Sequence, residues 1–183
     1  MADTISLCIT DANGYQLFDY RFLNSYGNGE EIRVCSVMEM INKVKELASQ
    51  RRSRIRHLYI NGHGAPGYQA VGAGRGWDES GERSLQLDPE DRSWNGCLRG
   101  VAAWAGLGLL SENLTDDATV TLSGCEVAAG EKGKGLMRAV ATTMGVWVQA
   151  ADAKQFAWIP GWEGKVWLCS PAGQILRPDG SYM

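Results

Sequence analysis

Two short apolar runs of this chain stop in the same abrupt way. "LYINGHGAPG" (58–67) halts at a histidine between two glycines, and "VTLSGCEVAAG" (120–130) halts at a glycine followed by a cysteine. A thiol becomes a strong nucleophile once deprotonated, and imidazole is the side chain best suited to take its proton near neutral pH. His63 and Cys125 are therefore a candidate pair for thiol acyl transfer. The neighbouring glycines fit that chemistry. Gly64 can bring its N–H close to a substrate carbonyl, and the N–H of Cys125 is available where strand gives way to helix, so together they form a candidate oxyanion hole. A helix directly after Cys125 would also favour the thiolate through its dipole.

The remaining candidates are weaker. The second histidine, His57, opens the strand that ends at His63 and lies about 20 Å from it at roughly 3.3 Å per residue. The five cysteines (8, 35, 97, 125 and 169) are scattered and contain no CxxC pair, which argues against a disulfide framework and against zinc. Cys8, Cys35 and Cys169 are expected inside strands and Cys97 inside a helix, as small buried apolar groups. "GEKGKG" (130–135) fails the phosphate-loop pattern, with Ala128 where Gly is required and Gly135 where Ser or Thr is required, and reads as a flexible helix entry. The acids Asp78, Glu79, Glu82, Asp88, Glu90 and Asp91 lack calcium-loop spacing and read as a solvated acidic loop. Arg75, Arg83 and Arg92 in that stretch would suit self-cleavage by a basic-specific enzyme. Thiol acyl transfer needs no cofactor and no metal.

Positioning such a pair requires a frame. "ISLCIT" (5–10) reads as a strand, "DANG" (11–14) as a turn, "YQLFDYRF" (15–22) as a returning strand and "EIRVCS" (31–36) as another short strand. Val37, Met40, Ile41, Val44 and Leu47 fall at helical spacing within 37–50. A strand over 57–61 follows. Residues 65–93 lack periodicity apart from a hairpin pairing "YQAVGAG" with "RSLQLD". Helix 94–110, a turn, strand and abrupt stop over 115–125, helix 128–145 and strand 146–150 complete an alternation that predicts an α/β fold, a mostly parallel sheet with helices on both faces. The tail, 156–183, reads as β-hairpins turning at "PAG". In such a sheet ligands sit beyond the carboxyl ends of the strands. His63 and Cys125 both lie there, about 5 to 10 Å apart if their strands are neighbours.

The 183 residues suit one domain, 1–183, without repeats or linkers. A formal net charge of −3 makes nucleic acid a poor partner, and "RRSRIR" (51–56) is better read as cations at a helix end. No signal sequence and no apolar stretch of membrane-spanning length is found, so a cytoplasmic protein with reduced thiols and no membrane partner is expected. The sequon "NLT" (113–115) then belongs to a turn.

The pairing of "LYINGHG" with "VTLSGC", in that order and with a helix between, resembles the caspase-like cysteine peptidases, the clan of caspases, metacaspases, clostripain and gingipains. Over roughly residues 5–152 the element order matches; the caspase nucleophile motif Gln-Ala-Cys-x-Gly does not, since this chain has "SGCEV", which marks a divergent, bacterial-type member. The resemblance implies a caspase-like three-layer sandwich and a cysteine endopeptidase acting on protein or peptide substrates, with a protein regulator or activator as a possible partner. It also implies that residues closing the first strand and the strand after the cysteine helix line the substrate pocket. Those positions are Asp11 and Asp152, and two carboxylates there would select Arg or Lys. Trp158 and Trp162 are candidate pocket walls. The alternative is a non-catalytic caspase-like scaffold or interaction domain within a larger complex.

Overall fold

The computed structural model describes residues 3–14, 29–74, 77–78, 80–87, 101–155 and 162–177, with backbone alone at 101–104. The returning strand expected over 15–22, Trp158, Cys97 and the acids Glu79, Asp88, Glu90 and Asp91 lie outside these residues.

Four parallel strands form the centre: β1 (Thr4–Asp11), β3 (Arg54–Asn61), β7 (Leu114–Leu122) and β8 (Trp147–Ala151). β2 (Glu30–Val34) extends the sheet in parallel beyond β1. β9 (Val166–Cys169) and β10 (Ile175–Leu176) close the far edge antiparallel. The order is β2-β1-β3-β7-β8-β9-β10. The final pair is the hairpin expected around "PAG": Gly173 takes φ 80 and Ser170 N–H donates to Gln174 O at 2.9 Å.

Register turns alternation into a core. Leu7 pairs with Leu58, Leu58 with Val120 and Val120 with Val148, so one face of the sheet is a continuous apolar row. Onto it pack α1 (Val37–Arg51), through Val37, Met40, Ile41, Val44 and Ala48, and α3 (Gly130–Met144), through Leu136, Met137, Val140 and Met144. Between them lies α2 (Val101–Leu109), which buries Leu107 and runs into a 3-10 turn, Leu110–Asn113. Among the described residues all three helices thus cover a single face; the connection from β1 to β2, which steps the opposite way across the sheet, lies outside them. The connections β2 to β3, β3 to β7 and β7 to β8 all step in the same direction across the sheet, and right-handed crossovers then place their helices on one side. The opposite face buries Cys8, Thr10, Tyr59 and Thr121, with Trp162 packed on Cys8 and Tyr59.

Local chemistry sets the element ends. The Ser36 hydroxyl accepts from Glu39 N–H at 3.1 Å, and the Glu39 carboxylate accepts from Cys35 N–H at 2.7 Å, a reciprocal cap that starts α1. The cap lifts Cys35 out of β2. It is exposed, not buried in a strand as expected, whereas Cys8 and Cys169 are buried as expected. The basic run divides: Arg51 ends α1, but Arg54 and Arg56 belong to β3 and pair with Asp116 and Asp117 at 3.0 and 2.9 Å.

A second sheet is formed by β4 (Gly64–Ala65), β5 (Tyr68–Ala70) and β6 (Ser84–Gln86), all antiparallel. The expected hairpin is present, with Gln69 opposite Leu85. The loop between β5 and β6 is organised by Asp78, which is buried, in contrast to the solvated acid expected there. Its carboxylate accepts from Ser80 Oγ at 2.7 Å, Arg83 N–H at 2.7 Å and Ser84 Oγ at 3.2 Å. Burial opposes its charge, yet these hydrogen bonds prevail and hold its pKa below the ordinary value. A carboxylate with a depressed folded-state pKa contributes stability that is present above its unfolded value, near 4, and is lost as pH falls through the folded value. Melting temperature should therefore drop more steeply below about pH 4 in the parent protein than in Asp78→Asn; parallel curves for the two would refute that role.

No helix among the described residues is long and apolar enough to cross a membrane.

Candidate active site

β3 and β7 are neighbours, and Ile60 pairs with Leu122. The Ser123 N–H donates to Ile60 O at 2.9 Å, which carries the pairing one step past the strand. His63 follows Ile60, and Cys125 follows Leu122, at the same offset along each chain. Strands are about 4.8 Å apart, so the sheet sets the two residues side by side at its carboxyl end. Both are half-buried.

Beyond the strands the two backbones touch. A Cβ on Gly64 would lie 2.6 Å from Gly124 C and 2.7 Å from Cys125 N, and a Cβ on Gly124 would lie 2.7 Å from Gly64 Cα. Only glycine permits that approach from either side. These residues are thus needed first for close contact. Gly64 stands opposite Gln69 in the β4–β5 ladder, and Ala70 N–H donates to His63 O at 2.8 Å. That bond marks Gly64 and Gln69 as a non-hydrogen-bonded pair, so the Gly64 N–H points away from β5. Among the described residues the Cys125 N–H has no hydrogen-bond partner.

Cys125 does not sit at a helix start, as expected. It opens a turn over 125–128, and α3 begins at Gly130. Glu126 adopts φ 57, a left-handed conformation that costs a residue with a Cβ about 1–3 kcal/mol. Its N–H donates to Ala153 O at 2.8 Å, and Ala128 N–H to Ala151 O at 3.0 Å, bonds to the end of β8 that hold the strained turn. The Cys125 sulfur accepts from Gln155 N–H at 3.3 Å and its thiol reaches Gln155 O at 3.5 Å. Gln155 is itself fixed: its Nε2 donates to Ala153 O at 2.9 Å and to Glu163 O at 2.7 Å. The "GEKGKG" glycines are part of α3. A Cβ on Gly133 would lie 2.3 Å from Ala128 C, so it packs the helix onto the cysteine turn and is not there for flexibility.

Asp11 and Asp152 are not brought together. Asp11 ends β1 and Asp152 follows the last residue of β8, strands that are three spacings apart, about 14 Å. Asp152 faces β9: its oxygens accept from Lys165 N–H at 2.8 Å and Trp167 Nε1 at 3.0 Å. Asp11 is buried at the end of β1, one strand from His63, and accepts from Asn13 N–H and Gly74 N–H, each at 2.8 Å. The chain over 70–74 crosses the ends of three strands: a Cβ on Gly62 would meet Ala70 O at 2.5 Å, and Asn13 Nδ2 donates to Gly72 O at 2.8 Å. A Cβ on Gly72 would fall 2.0 Å from Cys35 C. The small sheet and this strap roof the β1–β2 end of the crevice, while His63 and Cys125 stay accessible. Trp162 belongs to the opposite face, packed on Cys8 and Tyr59.

Two residues escaped the sequence reading. Gln69, wholly buried, accepts from Gly124 N–H at 2.8 Å, and Gln155 holds the sulfur. Neither leaves a sequence signal, because the Gln69 carboxamide and the Gln155 backbone each meet a partner far away along the chain. The described residues contain no group of three or more His, Cys, Asp or Glu able to hold a metal ion.

Residues 98–155 match the model of a family described as a domain of unknown function, DUF4347. The matched span carries Cys125, α3 and β8 and ends at Gln155; His63 lies outside it. No curated protein and no solved structure matches the chain.

Proposed function

We propose that the protein is a cysteine endopeptidase of caspase-like type. The observation that carries this reading is the contact of Gly64 with Gly124 and Cys125, which sets a histidine and a cysteine at adjacent strand ends with two N–H groups beside them. His63 takes the thiol proton, and Cys125 attacks the scissile carbonyl. The N–H groups of Gly64 and Cys125 hold the oxyanion, and His63 returns the proton to the leaving amine. Water, activated by the same imidazole, releases the acyl group. The substrate is a protein or peptide, and the cytoplasm suits the reactive thiol.

The test is selective alkylation. On brief treatment with iodoacetamide near pH 8, Cys125 should label fastest, and His63→Ala should slow it to the rate of the exposed Cys35. Cys169, whose thiol burial pushes up to about 11, should stay unlabelled. Equal rates at Cys35 and Cys125, with no turnover of Arg-, Lys- or Asp-terminated fluorogenic peptides, would sink the enzyme and favour a non-catalytic domain in a larger complex.

Preference for Arg or Lys before the scissile bond rests in this proposal on Asp11 alone. Its carboxylate is buried under the 70–74 strap with two backbone donors on it, so a substrate guanidinium would have to reach its remaining lone pairs from the side of β3. Asp11→Asn should lower kcat/KM for Arg peptides about tenfold or more relative to Ala peptides, while Asp152→Asn should leave that ratio unchanged. An unchanged ratio in Asp11→Asn refutes the basic pocket.

A further inference from the structure

Gln69 touches no substrate position, yet it is tied to both halves of the site. It is 0% exposed, an unusual location for a carboxamide unless both of its ends are satisfied. Here they are: Oε1 accepts from Gly124 N–H at 2.8 Å, and Nε2 donates to Ala70 O at 2.9 Å. Through its backbone Gln69 stands opposite Gly64 on β5. One residue thus stands opposite Gly64 in the strand register and, by its side chain, holds the peptide leading into Gly124. With its N–H turned toward Gln69, Gly124 anchors the Ser123–Gly124 peptide, and the next peptide, which carries the Cys125 N–H, is confined between that anchor and its packing against Gly64, the residue opposite Gln69.

We infer that Gln69 is a positioning residue for the oxyanion hole, a role that rests on the peptidase reading above. Its effect falls on the transition state. The ground-state carbonyl is planar and asks little of the two donors, whereas the tetrahedral oxyanion needs both at hydrogen-bond distance. Nucleophilicity of the sulfur does not pass through Gln69, because the groups on Cys125 Sγ belong to Gln155.

The experiment compares parent, Gln69→Met and Gln69→Glu in the full chain. Four quantities are read: kcat and KM on a fluorogenic peptide, inhibition by a peptide aldehyde, the iodoacetamide alkylation rate of Cys125, and melting temperature. An aldehyde reports the hole directly: the sulfur bonds to its carbonyl carbon, and the displaced electron pair becomes an oxyanion. Gln69→Met keeps the side-chain length but removes the acceptor. It should lower kcat about 10²-fold, the scale of losing one oxyanion donor, and weaken aldehyde inhibition in parallel. KM and alkylation rate should hold within about threefold, since iodoacetamide reacts without an oxyanion. Gln69→Glu retains an acceptor for Gly124 and, in the protonated form that burial favours, a donor for Ala70 O, and should keep kcat within about tenfold of the parent. Unchanged kcat in Gln69→Met overturns the role. So does a common fall of kcat, alkylation and melting temperature, which is the pattern of a merely structural residue. If Gln69→Met does not fold, Gln69→Glu decides alone: a 10²-fold loss of kcat in that variant refutes the inference. A parent protein with no turnover and no selective labelling overturns the peptidase reading and this one with it, whereas an active parent with an indifferent Gln69→Met overturns only this one.

Discussion

Cys125→Ala is expected to reduce peptide turnover by about 10⁴-fold or more, and His63→Ala to come within tenfold of the same loss. The two side chains act as a unit: without the imidazole the thiol keeps its proton, and without the sulfur the imidazole has no proton to take. The double variant should therefore be no worse than either single one, and this non-additivity is the sharper test. Both residues are half-buried at strand ends and outside the core rows, so the melting temperature of each variant should stay close to that of the parent. Additive losses, or turnover that survives Cys125→Ala, would assign the chemistry elsewhere.

The second large effect comes from a single methyl group. Gly64→Ala places a carbon 2.6–2.7 Å from backbone atoms of Gly124 and Cys125, and Gly124→Ala places one 2.7 Å from Gly64 Cα. Backbone cannot rotate aside as a long side chain can, so the two strand ends must part. Overpacking of this kind costs about 1–3 kcal/mol, and a shift near 1 Å at a reacting centre costs about 10²-fold in rate. Each variant should lose both stability and activity. Gly108→Ala is the control: its nearest contact would be an ordinary 3.6 Å to Thr143 O, in the last turn of α2, and replacing a helical glycine there should leave stability unchanged or raise it by up to about 0.5–1 kcal/mol. Full activity in Gly64→Ala would show that the closeness of the loops is not needed for function.

Much of the frame is legible in the sequence because it is local. Spacing of Val37, Met40, Ile41 and Val44 marks α1, and Ser36 with Glu39 marks its start. Apolar runs halted by glycine mark the carboxyl ends of β3 and β7, and "RSLQLD" marks the strand that pairs with β5. Helix α2 is shorter at its described end than the span read for it, since the chain tightens into a 3-10 turn at Leu110. The helix dipole assigned to Cys125 was misplaced because a tight turn and a helix start share the same glycine-rich composition; the bonds from the cysteine turn to Ala151 and Ala153 are what separate them.

What the sequence determined by itself is a set of periodicities and the places where they break: which segments are strands, which are helices, and that a histidine and a cysteine each stand just past a strand. Those follow from side-chain spacing along one stretch of chain, which is a property of neighbours in sequence. The tertiary structure decided everything that depends on distant partners. It ordered the strands, laid the 70–74 strap over β1 and β2, turned Asp152 toward Trp167 and buried Asp11 and Asp78 among backbone donors. It also placed two glutamines around Cys125. A carboxylate or carboxamide reads the same in sequence whether it faces a crevice or closes a loop, because its partners are chosen only when hydrogen-bonding groups must be satisfied on burial.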